Sequence, residues 1–122
     1  MRRKIEQLFL QWKQNPDRKP LVVKGCRQCG KTYSVLSFAR ANYEHVIYLN
    51  FHEQPSYKKF FQGALDVQTI TMLISAAFPS IPIVHGKTCF VLDEIQECPR
   101  ARTALKFFKL DGRYDVLCTG SL

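Results

Sequence analysis

Long apolar runs are missing from this chain. No stretch approaches the roughly 20 residues that a helix needs to cross a bilayer. Met1-Arg2-Arg3-Lys4 leads into an amphipathic segment rather than a continuously apolar leader. Both absences argue against a membrane partner and point to a cytoplasmic setting. Acidic side chains are scarce as well, 10 against 18 basic, for a formal charge of +8. The basic residues are spread as Arg2-Arg3-Lys4, Arg18-Lys19, Lys58-Lys59 and the stretch from Arg100 to Arg113. A nucleic-acid partner would use such a surplus, but no DNA-reading motif accompanies it, and a solvated basic surface accounts for it. The five cysteines include one C-x-x-C, Cys26 and Cys29, with no second pair at zinc-finger spacing. Internal repeats, linkers and low-complexity tracts are absent, so 122 residues make one domain at most.

What is present is concentrated in eight residues, Gly25-Cys26-Arg27-Gln28-Cys29-Gly30-Lys31-Thr32. They fit G-x-x-x-x-G-K-[ST], the phosphate-binding loop of nucleoside triphosphatases. The setting fits too: Leu21-Val22-Val23 reads as a short buried strand, and Tyr33 to Arg40 as a helix with Val35, Leu36, Phe38 and Ala39 at helical spacing. A triphosphate needs many inward-pointing backbone N–H groups. Gly25 and Gly30 permit that tight path, and the helix start adds unpaired N–H groups and the positive end of its dipole. Lys31 is expected to reach the β- and γ-phosphates and Thr32 to ligate Mg²⁺. The C-x-x-C falls inside this loop, where a Cys26–Cys29 disulfide would distort it.

A second motif ends a strand. Cys89-Phe90-Val91-Leu92-Asp93-Glu94 is an apolar run closed by two carboxylates. Ligands of open parallel sheets gather at the C-terminal ends of strands. A strand here lying beside Leu21–Val23 would bring Asp93 to the Mg²⁺ site and leave Glu94 to deprotonate an attacking water. The competing reading is that Asp93-Glu94 caps the next segment. A third strand, Val116 to Thr119, leads into Gly120-Ser121. Thr119 or Ser121 is placed to sense a γ-phosphate, unless this is a strand followed by an ordinary turn.

Periodicity supplies the rest. Ile5, Leu8, Phe9 and Trp12 predict an amphipathic helix over 3–14, with Trp12 either stacking on adenine or packing in the core. Strands are expected over Leu21–Lys24, Val46–Asn50, Thr88–Leu92 and Val116–Thr119. Helices are expected over Ser56–Gln62, over Val67–Phe78 with Asp66 as cap, and from Pro99 to about Leu110. Strands alternating with helices give an α/β fold, a parallel sheet flanked by helices.

With these words in place the chain resembles a family. Val23–Thr32, Leu49-Asn50-Phe51, Leu92-Asp93-Glu94-Ile95-Gln96-Glu97, Asp111-Gly112-Arg113-Tyr114 and Thr119-Gly120-Ser121-Leu122 look like those of uncharacterised prokaryotic AAA-type P-loop ATPases. In that family the ATPase domain precedes a C-terminal domain of unknown, nuclease-like function. Cys29 stands where valine is common, and His52 where an acid is frequent. The resemblance implies an ATPase core of five parallel strands with a helical lid. It makes 1–122 the N-terminal part of that domain, helix 3–14 then core 21–122, truncated after the fourth strand with the fifth strand and lid absent. It also implies an arginine lent to a neighbouring subunit, for which Arg113 and then Arg100 are candidates, Arg102 lying in the same region. Self-association would follow from that.

ATP binding and Mg²⁺-dependent hydrolysis, coupled to an unknown partner or C-terminal domain, is the leading expectation. A GTPase would need Asn-Lys-x-Asp, which does not occur. A small-molecule kinase, or a nucleotide-regulated DNA-associated or toxin-like module in which ATP sets conformation only, are the alternatives. Adjacent carboxylates ending an apolar strand favour water as acceptor.

Overall fold

The computed structural model describes residues 2–25 and 30–121; Cys26, Arg27, Gln28 and Cys29 lie outside it with Met1 and Leu122, as do the side chains of Arg2 and Arg3. Its elements run α1 (Arg2–Gln14), β1 (Leu21–Gly25), α2 (Lys31–Asn42), β2 (His45–Asn50), a 3-10 segment Pro55–Phe61, α3 (Val67–Ala77), β3 (Thr88–Asp93), a 3-10 turn Ile95–Glu97, α4 (Pro99–Asp111) and β4 (Asp115–Ser121). Every strand and helix expected from the sequence forms, with ends shifted by a residue or two, as helix fraying allows. Asp66 caps α3 by accepting the Thr69 N–H at 2.9 Å. Gly112, at φ 75°, ends α4 in the left-handed conformation that glycine tolerates.

All strand pairs are parallel, in the order β1-β4-β3-β2. This corrects one expectation: β3 does not lie beside β1. β4 intervenes, pairing Val23 with Thr119 on one side and Cys118 with Leu92 on the other. The reason is chain connectivity. Helical crossovers carry the chain from β1 out to β2 at the far edge, then back through β3 to β4, which fills the gap beside β1.

Two apolar layers sandwich the sheet, and strand alternation decides which side chain joins which. Phe90 and Leu92 of β3 join a layer under α3, α4 and the 3-10 segment, with Phe51, Phe60, Phe61 and Ile70. Cys89 and Val91 face the other way, onto Phe9 of α1 and Val35 and Phe38 of α2. Burial pushes the Cys89, Cys98 and Cys118 thiols up, so these free thiols behave as small apolar groups.

At the N-terminal end of the sheet, the Arg18 guanidinium pairs with Asp115 at 2.9 Å, and the Tyr43 hydroxyl donates to the same carboxylate. Burial, then the bond to Asp115, pushes the Tyr43 phenol up, so it stays a donor. The Trp12 indole donates to the Lys19 carbonyl at 2.6 Å and packs against the α2-side layer. Lys19 lies two residues before Leu21, the start of β1, so Trp12 lies at the opposite end of the strands from Gly25 and serves packing there. No helix among the described residues is long and apolar enough to cross a membrane.

Candidate functional site

A cleft of about 430 Å³ opens at the C-terminal ends of the strands, lined by Gly30, Lys31, Thr32, Tyr48, Asn50, His52, Glu53, Asp93 and Glu94. Its walls follow from local structure. Gly30 adopts φ 83° just before α2, a conformation that side-chain-bearing residues rarely take, and its carbonyl accepts the Ser34 N–H. Lys31 and Thr32 therefore open the helix, with Lys31 only 6% exposed. Four loop residues expected to cradle phosphate, Cys26 to Cys29, lie outside the described residues, while Gly25 closes β1 beside them.

Asp93 is the centre of the polar network. It follows Cys89 and Val91 at a spacing of two, so it faces the α2 layer, where Thr32 waits. The Thr32 hydroxyl donates toward the carboxylate, 3.1 Å from both oxygens. Tyr48 and Asn50 share that face of β2. The Tyr48 hydroxyl donates to Oδ2 at 2.5 Å, and Asn50 Nδ2 lies 3.3 Å from the same oxygen. From β4, the Thr119 hydroxyl donates to Oδ1. Asp93 itself is 1% exposed. Burial, then the bond to Asp93, pushes the Tyr48 phenol up, so it remains a donor at neutral pH.

Glu94 comes next and breaks the strand. Its φ of 58° is the only positive value among the described non-glycine residues, and strained backbone of this kind concentrates at functional sites. Its N–H donates to Thr119 Oγ1 at 3.0 Å. Its Oε1 accepts from Gln96 Nε2 and from Ser121 Oγ, each at 2.8 Å.

The structure thus brings Lys31, Thr32, Asp93 and Glu94 to one cleft and sorts the two sensor candidates. Thr119 is fully buried, its hydroxyl engaged with Asp93 and the Glu94 N–H, and it does not line the cleft. Ser121, partly exposed, is bonded to Glu94. Tyr48 was not singled out from the sequence, and Asn50 and Gln96 stood only within the words of the family resemblance, with no role given to them. Their signal was positional: Tyr48 and Asn50 share one face of the strand beside β3.

Thr32 and Asp93 supply hard oxygen donors of the kind Mg²⁺ takes. No group of three or more His, Cys, Asp or Glu capable of holding a metal occurs among the described residues. A cation here would complete its shell from phosphate and water, as Mg²⁺ does. The two arginines considered for a neighbouring subunit have partners within the chain. Arg100 donates to the Phe61 and Gly63 carbonyls at 2.5 and 2.7 Å, and Arg113 pairs with Asp111 at 2.9 Å near the start of β4, away from the cleft.

Among solved structures, that of C. elegans PCH-2 aligns with a TM-score of 0.56 at 17% identity, covering 99% of this chain and 37% of that one. The likeness is one of fold, and the chain spans little more than a third of that structure's length. No curated protein sequence matches. The AAA domain family does match, over residues 17–122. The chain, an α/β P-loop fold with its parallel sheet between helical layers, belongs to the AAA domain family.

Proposed function

We propose that the cleft binds ATP with Mg²⁺ and hydrolyses it. The observation that carries this reading is the Thr32–Asp93 contact at 3.1 Å, where a helix start following a glycine turn meets an acid-tipped parallel strand. The N–H groups that open α2, and Lys31 on the cleft wall, would meet the phosphate charge. Bound there, Mg²⁺ would neutralise phosphate charge as it develops in the transition state. Thr32 and Asp93 would hold that ion, with both Asp93 oxygens kept in place by the donors around them.

Glu94 takes the catalytic role. Water attacks the γ-phosphorus and its proton passes to the Glu94 carboxylate. The bond from phosphorus to the β–γ bridging oxygen breaks, and ADP and inorganic phosphate leave. The family match supports an ATPase-type module, and the carboxylate beside the cleft favours water over another acceptor. Hydrolysis would be coupled to a partner or a further domain, and Arg113 or Arg100 would serve self-association only by leaving its intrachain partners.

Titration of a fluorescent ATP analogue with Mg²⁺, beside a Lys31→Ala variant, tests the reading. Saturable binding lost in the variant supports it; equal binding by both, or none by the folded wild type, contradicts it.

A further inference from the structure

Two residues outside the cleft hold the side chain to which the proposed hydrolysis delivers its proton. Gln96 and Ser121 both donate to Glu94 Oε1 at 2.8 Å, and the Ser121 N–H donates to Gln96 Oε1 at 3.2 Å. The three residues close a ring joining the turn after β3 to the end of β4. Gln96 is exposed and makes no part of either apolar layer. A surface glutamine that spends both ends of its amide on one carboxylate and its neighbour is doing more than meeting solvent.

From this ring we infer that Gln96 and Ser121 are positioning residues for Glu94, fixing the plane of its carboxylate toward the attacking water. The inference rests on the hydrolysis reading and deepens it. It reassigns Ser121 from phosphate sensing to the aim of Glu94. Neither Gln96 nor Ser121 lines the cleft, whereas Glu94 does. The ring anchors Glu94 from behind. With its φ of 58° and its N–H tied to Thr119, Glu94 is constrained at backbone and side chain together, which is the pre-organisation that a general base requires.

Steady-state hydrolysis by Gln96→Met, Ser121→Ala, Ser121→Thr and the Gln96→Met/Ser121→Ala pair is the test. Methionine matches glutamine in length without its hydrogen bonds, and at an exposed position it leaves the fold intact. Gln96→Met and Ser121→Ala should each lower kcat roughly 10- to 100-fold with KM and nucleotide affinity unchanged. Ser121→Thr, which keeps the hydroxyl, should restore most of the rate. The pair should lose less than the product of the single losses, because both act on one oxygen. A wild-type or raised kcat in Gln96→Met overturns the inference, as does a loss carried by KM. If the wild type binds ATP without turning it over, or Glu94→Gln retains turnover, the hydrolysis reading fails and takes the inference with it. If hydrolysis and its Glu94 dependence stand while Gln96→Met is unchanged, the inference alone fails.

Discussion

The Thr32 hydroxyl sits 3.1 Å from each oxygen of Asp93, a residue 61 positions later in the chain. Thr32 opens α2, the helix that follows β1, and β4 lies between β1 and β3, so the contact passes over a whole strand. It is made because Asp93 points to the α2 side of the sheet and α2 starts above that spot. Replacing Thr32 with valine keeps the shape and removes the hydroxyl. Mg²⁺ activation of ATP turnover should weaken roughly 10- to 100-fold, and Thr32→Ser should recover it. A magnesium titration of the rate checks both.

Tyr48 should matter chiefly through Asp93. Its hydroxyl stays protonated well past neutral pH and donates to Oδ2 at 2.5 Å. Tyr48→Phe should raise the Mg²⁺ concentration for half-maximal turnover about tenfold while leaving the melting temperature close to that of the wild type.

Stability should depend most on the layer away from the phosphate side. Phe61 is 1% exposed and meets the Phe51 ring edge-on at 5.7 Å. Phe61→Ala should cost about 3–5 kcal/mol, read from chemical denaturation.

Acid should destabilise the fold through identifiable carboxylates. The Thr69 N–H and hydroxyl hold Asp66 below its ordinary value, and the Arg113 guanidinium does the same for Asp111. Each has a lower pKa folded than unfolded. Its contribution is therefore complete above the ordinary carboxylate value of 3.8 and is lost as pH falls through the folded value. Asp66→Asn, which retains a capping side chain, should flatten this acid dependence, as followed by melting temperature from neutral pH down to strongly acid solution.

The elements were legible in the sequence because each carries its own period: Val67, Ile70 and Ile74 on one face of α3, and the unbroken apolar run Phe90 to Leu92 for a strand covered on both faces. The end-of-strand position of Asp93 and Glu94 was legible for the same reason. Strand order was not, since nothing in the residues of β3 says whether β1 or β4 adjoins it. That gap hid Tyr48 and Asn50, whose bearing on Asp93 depends on β2 lying at its side. Gln96 was hidden because its partner Ser121 lies 25 residues away, and only the meeting of two strand ends joins them.

Phosphate release from Mg²⁺-ATP by Glu94→Gln, measured beside nucleotide binding by the same variant, bears most directly on the central claim. Retained binding with turnover reduced at least about 100-fold is the result expected of a general base at this position. Turnover at the wild-type rate would contradict the account.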